Sequence, residues 1–194
     1  TLSFVIHFIL VLLAIIYQLF NGFSEIDFYL YFKDYLFNLF PVYFTMCATL
    51  VAIQVVVNHK YLGYMVSIII LLLFDIVLLI LDINSNMLSI GSSPYMIYSD
   101  LNGFGPSNEG VFWFNLYWML FGLLFLILSG MIWNRGAKKS FKERLNSINS
   151  NTGLTYLVIV SSIGILFILT ASFVFYNTQI LNSYKSSDQY EVLA

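Results

Sequence analysis

Tyr98-Ser99-Asp100-Leu101-Asn102-Gly103-Phe104-Gly105 lies inside a polar stretch, residues 82–110, that holds no Lys or Arg and separates the third and fourth of five long apolar runs. It is the longest polar interruption in a chain that otherwise reads as soluble in hydrocarbon, so the runs on either side of it are read as membrane crossings. Each crossing needs about 20 mainly apolar residues to cover roughly 30 Å of hydrocarbon. The expected spans are residues 3–20, 39–57, 63–81, 111–133 and 154–176. Between them fall an interfacial helix over 24–38, the loop 82–110 and a basic loop over 134–153, with a linker at 177–194. The expected fold class is all-α: a polytopic membrane helical bundle of about five transmembrane helices plus one interfacial amphipathic helix.

Composition agrees. The chain of 194 residues is 60% hydrophobic and 9% charged, against roughly a quarter charged in a soluble domain. A net charge of −2 gives no bulk field that would favour nucleic acid. Cys47, the single cysteine, sits inside an apolar run and can form neither an intrachain disulfide nor a thiolate metal set. No basic leader precedes the first apolar run, which argues against a signal peptide. With Thr1 rather than Met at its start, the sequence is expected to be a fragment of a longer protein.

Within the runs, the informative residues are the polar ones. His7 stands in the first run and Gln54 near the end of the second. Each is expected to make an end-of-span or interhelical hydrogen bond, with a ligand or substrate path as the alternative. Asp75 is the one acid deep in a span. A carboxylate there costs about 2.5–3.5 kcal/mol on insertion scales, so it is expected to be paired, protonated or facing a polar interior, and it is a functional candidate. Asp27, Tyr31, Asp34 and Asn38 recur at helical spacing, with Ser24 and Asp27 as a capping box, which suggests a helix lying on the membrane. Pro41 is expected to turn the chain from that helix into the second span. Thr45, Ala48, Thr49 and Ala52 form a small-residue stripe, and Gly122 and Gly130 are further candidates for close helix contact. Trp113, Trp118 and Trp133 mark both interfaces of the fourth span.

The loops sort by charge. Lys60 and the loop with Arg135, Lys138, Lys139, Lys142 and Arg144 hold six of the eight basic residues, whereas the alternate set of loops holds eight of the ten acids. By the positive-inside rule the basic set is cytoplasmic, so the N-terminus is inside, and the loop 82–110 and the C-terminal tail are outside. Arg135, Lys138, Lys139, Lys142 and Arg144 are a candidate docking surface for a cytoplasmic partner, with topology anchoring as the simpler role.

Motifs for chemistry are sparse. The sequence has no H-E-x-x-H, no Walker glycine loop with Lys and no G-x-S-x-G. Asp100-x-Asn102 resembles the start of a calcium loop, but Phe104 occupies the fifth position and no Glu falls at the twelfth. Gly103 and Gly105 beside Asn102 are turn formers. The loop residues Tyr98, Ser99, Asp100, Asn102, Gly103 and Gly105 are therefore expected to shape an external cap, not to catalyse. No catalytic residue, metal site or cofactor is expected in this chain.

Val57-Asn58-His59-Lys60-Tyr61-Leu62-Gly63, Pro94-Tyr95 with Tyr98 to Gly105, Trp113-Phe114-Asn115-Leu116-Tyr117-Trp118 and Trp133-Asn134-Arg135-Gly136 form an ordered series. Together they resemble the membrane part of bacterial proteins in which an ABC-type exporter permease is fused to a membrane alanyl aminopeptidase-type domain. In this chain Met96 and Ile97 separate Pro94-Tyr95 from the Tyr-Ser-Asp motif. The resemblance implies a bacterial inner-membrane protein, of a Bacteroidetes-like group, working with a separate ATP-binding subunit in a homodimer or heterodimer. It also implies a zinc peptidase domain beyond the tail, which the charge bias would place in the periplasm. The expected function is a permease-like transmembrane domain. The alternative is a membrane anchor and assembly module that presents the peptidase without transport.

Overall fold

The computed structural model describes residues 2–23, 25–83, 85–94, 107–133, 142–144 and 153–182. Among these residues every regular element is helical. The helices are α1 (Leu2–Phe20), α2 (Phe28–Asp34), α3 (Phe40–Val57), α4 (Lys60–Ile80), α5 (Ser107–Ile132) and α6 (Leu154–Phe175). Wider π turns at Tyr35–Leu39 and Tyr176–Leu181 follow α2 and α6. Four continuous stretches, Phe28–Val57, Lys60–Ile80, Asn108–Ile132 and Leu154–Leu181, are long and apolar enough to cross a membrane. The first expected span is helical as α1, which contributes the shorter apolar stretch Val5–Phe20.

The expected turn at Pro41 does not occur. Asp27 caps α2 by accepting from the Tyr29 N–H at 3.0 Å, and the helix then runs on through the π turn into α3, with Phe40 still right-handed helical. Proline removes the N–H that would bond the carbonyl four residues back, here Phe37. Two local features let the helix continue. The π turn shifts the Phe40 N–H onto the Tyr35 carbonyl, and the Asn115 amide from α5 donates to the Phe37 carbonyl. The residues expected to form a separate interfacial helix are thus the first turns of a stretch of 30 residues, about 45 Å long at 1.5 Å per residue. A helix of that length is longer than a bilayer's hydrocarbon core, and near its start Asn38 donates to Asp34 at 2.6 Å.

α3 and α4 form an antiparallel hairpin with a two-residue connection. Asn58 adopts φ 51°, and its N–H closes α3 on the Gln54 carbonyl; His59 caps α4 by accepting from the Leu62 N–H. That cap starts α4 at Lys60, earlier than the expected residue 63. The last span runs past its expected end, because Asn177 and Thr178 donate their side chains back to the carbonyls of Phe173 and Val174 and so sustain the helix.

α5 is the centre of the bundle, packed against α3 on one side and α6 on the other. The small stripe on α3 faces it. Thr45 donates to the Trp118 carbonyl at 3.0 Å, and a Cβ on Gly122 would lie 3.1 Å from the Phe44 ring and 3.3 Å from Ala48, so the missing side chain of Gly122 makes room for both. On the other side Tyr117 stacks on Phe167, with centroids 5.2 Å apart, and Trp113 meets Phe173 at 4.4 Å. Gly130 approaches the Tyr156 hydroxyl near the opposite end. These pairings make α5 parallel to α3 and antiparallel to α6.

Candidate functional site

The described part of the loop after α4, residues 85–94, turns back into the bundle. Ser85 organises its start, its carbonyl accepting from Leu88 and its hydroxyl from the Met87 N–H. Gly91 has φ +75°, a conformation that L side chains rarely adopt, and lies beside Val42, whose Cα a Cβ built there would approach to 3.5 Å. Val42 is fifteen residues from the hairpin end of α3, about 22 Å, whereas Ile80 is twenty residues from the same end of α4, about 30 Å. The loop therefore re-enters the bundle by roughly 8 Å.

Irregular backbone at membrane depth is tolerated where protein groups satisfy it. Trp118 supplies them. Its indole N–H is shared between the carbonyls of Asn86 (3.1 Å) and Ser92 (2.8 Å), and the Tyr117 hydroxyl donates to the Met87 carbonyl at 3.3 Å. The Ser92 hydroxyl closes the loop on the Asn86 side-chain oxygen at 2.8 Å. Phe114, Tyr117, Trp118 and Val174 are buried together, with Met87 and Ile90 of the loop packed on them. One short segment of α5, residues 113–118, thus holds the π turn through Asn115 and the loop through Tyr117 and Trp118.

Beside this segment is a cavity of about 280 Å³, with an aromatic wall of Trp113 and Phe173 and a polar lining of Glu109, Asn177, Thr178 and Asn182. A second cavity of about 260 Å³ separates α1 from α2. It is almost wholly apolar, and His7 and Tyr35 meet there with ring centroids 4.7 Å apart. Both ring nitrogens of His7 are buried, and among the described residues they make neither an end-of-span nor an interhelical hydrogen bond.

The intramembrane candidates are not brought together. His7 meets Tyr35. Gln54 packs against Gly63, whose Cβ would lie 3.3 Å from its Cγ. Asp75 is exposed on α4 and has no hydrogen-bond or ion-pair partner among the described residues, so it is neither paired nor inside a polar interior of this chain. Tyr98, Ser99, Asp100, Asn102, Gly103 and Gly105 lie outside the described residues, as do Arg135, Lys138 and Lys139. Of the basic loop, Lys142 is exposed but Arg144 is only 3% exposed. Its guanidinium donates to the carbonyls of Val55 (2.6 Å) and Val56 (2.9 Å), the last turn of α3. A cation is favoured at that negative helix end, and this use takes Arg144 out of the expected docking surface.

Asn115 is the residue that sequence reasoning left without a role, and Trp118, expected to mark an interface, instead turns its N–H into the loop. The signal for Asn115 was present: Pro41 orphans the Phe37 carbonyl, and an amide among the aromatic residues of a span is a natural donor. Among the described residues no three His, Cys, Asp or Glu side chains group as metal ligands would. Compared with known protein families, curated proteins and solved structures, the chain matches none.

Proposed function

We propose that this chain is a permease-like transmembrane domain of an ABC-type transport system, the membrane part of a permease and aminopeptidase fusion, seated in a bacterial inner membrane. The observation that supports this reading is that two of the four resembling stretches organise the bundle: residues 113–118 fasten α3, the inward loop and α6, and residues 58–63 form the hairpin at the opposite end. The four long apolar stretches supply the crossings, and α1, whose His7 meets Tyr35 near the start of the first of them, lies beside that end. Arg144 supports the alternation of sides, because it returns after α4 and α5 to the end of α3 that is marked by Lys60. That basic end faces the cytoplasm, where Lys138, Lys139 and Lys142 meet an ATP-binding subunit, and the tail leads to the periplasm.

The test is reconstitution of the full-length protein with its ATP-binding subunit in vesicles. ATP-dependent movement of a peptide or lipid supports the proposal. No movement alongside intact peptidase activity replaces it with an anchor and assembly module. Copurification of the subunit that survives charge reversal of Lys138, Lys139 and Lys142 removes those residues from the docking surface.

A further inference from the structure

The cavity of about 280 Å³ lies where the start of α5 meets the end of α6, beside Pro94 of the loop. Its apolar wall is made by Trp113, Phe114, Phe173 and Val174, with the Trp113 and Phe173 rings 4.4 Å apart. The polar residues stand one helical turn further out. Glu109 is four residues before Trp113, about 6 Å of helix rise, and Asn177 and Thr178 are four residues after Phe173 and Val174, so each shares a face with the apolar residue beneath it. Asn177, Thr178 and Asn182 donate to the carbonyls of Phe173 (2.9 Å), Val174 (2.8 Å) and Asn177 (2.9 Å). Each thus turns a donor toward the helix backbone and keeps its side-chain oxygen able to accept. The Glu109 carboxylate is exposed and makes no hydrogen bond or ion pair among the described residues, and no described Lys or Arg lines the cavity.

We infer that this cavity binds an amphiphilic amine, a small apolar body carrying a primary ammonium group, with the body against Trp113 and Phe173 and the ammonium at Glu109. A primary ammonium brings three N–H donors and no acceptor, which matches a rim of oxygens. Its charge is drawn to the carboxylate and to the faces of the aromatic rings. An anion would meet Glu109 with no cation to offset it. A hard metal ion takes about six to eight oxygen ligands, and the aromatic wall provides none. A neutral apolar molecule fits the wall but leaves the rim without donors. Glu109 in the first turn of α5 also suits the helix dipole, yet the dipole accounts for neither the amide oxygens on α6 nor the aromatic wall between the two helices.

In the test, the full chain in uncharged maltoside micelles is titrated calorimetrically with phenethylamine, phenylethanol and phenylacetate, against protein-free micelles. Phenethylamine is expected to bind roughly tenfold more tightly than the alcohol, equivalent to about 1.4 kcal/mol, and phenylacetate not to bind. Glu109→Gln should bring the amine to the affinity of the alcohol, and Trp113→Leu should weaken the amine and the alcohol together, with helical circular dichroism unchanged in both. Glu25→Gln, at an exposed acid outside the cavity, should leave amine binding as it was. Equal affinity for amine and alcohol overturns the inference, as does a preference that survives Glu109→Gln or falls as far in Glu25→Gln. Phosphatidylethanolamine that displaces phenethylamine, where phosphatidylcholine does not, supports a lipid headgroup as the source of the ammonium; displacement by neither supports a soluble amine.

Discussion

The side-chain amide of Asn115 donates to the main-chain carbonyl of Phe37, to which Pro41, four residues on, has no N–H to give. A proline that the sequence marks as a break is thereby carried inside a continuous helix, held open by a π turn and closed by a residue 78 positions after Phe37.

Replacing Asn115 by Leu strands a buried carbonyl, and such a group costs about 1–3 kcal/mol. Thermal unfolding in detergent should show a loss of that size. Pro41→Ala restores an N–H at the right place, so Asn115→Leu should cost about 1 kcal/mol less in the Pro41→Ala background, a coupling that a double-mutant cycle reads directly. Additive effects would show that the two residues do not serve the same carbonyl.

Trp118→Phe keeps the ring and removes the N–H shared by Asn86 and Ser92. The loop, not the bundle, should respond. Hydrogen exchange at the Ser89 and Ser92 amides is expected to accelerate by an order of magnitude or more, the exchange equivalent of about 1.4 kcal/mol, while amides in the middle of α5 stay protected. Uniform acceleration throughout would mean that Trp118 supports the core and not the loop.

Gly122→Val forces a side chain onto Phe44 and Ala48 and should destabilise the α3–α5 contact by about 1–3 kcal/mol. Gly164, with no heavy atom within 4 Å of its Cβ position, is the matched control. Gly164→Val should change the melting temperature little; equal losses at both positions would point to helix propensity instead of packing.

Arg144→Ala removes two charge-assisted hydrogen bonds from the last turn of α3 and should cost about 1.5–3 kcal/mol. Lys142→Ala, at an exposed neighbour, should stay within about 0.5 kcal/mol. If both substitutions behave alike, the capping geometry contributes nothing measurable to stability.

Much of this architecture was legible in the residues themselves. Apolar runs of span length located the helices, because length and hydropathy are local properties. The stripe at Thr45, Ala48 and Thr49 foretold the close approach to Gly122, since small side chains at helical spacing have few other uses in a bundle. What stayed hidden was long-range. Pro41 argued locally for a turn, and only a donor on a distant helix reverses that argument. Arg144 looked like one more surface cation, because nothing nearby in sequence shows that the end of α3 lies within its reach. The inward loop was equally opaque: Trp118 fits an aromatic belt by position, yet its N–H points into the protein.

Both ends of α3 are completed by residues made much later: the Phe37 carbonyl by Asn115, and the Val55 and Val56 carbonyls by Arg144, 89 and 88 residues downstream. At a synthesis rate of roughly 5–20 residues per second, α3 waits on the order of 4–18 s for its partners. During that interval the nascent hairpin has only the α3–α4 contact around Gln54 and Gly63 to hold it, with the α5-facing side of α3 open to whatever protects a growing membrane chain. The order of translation thus makes α5 and the segment after it the closing pieces of this assembly, and a ribosome stalled before Asn115 would leave a hairpin with its helix bonds unfinished at both ends.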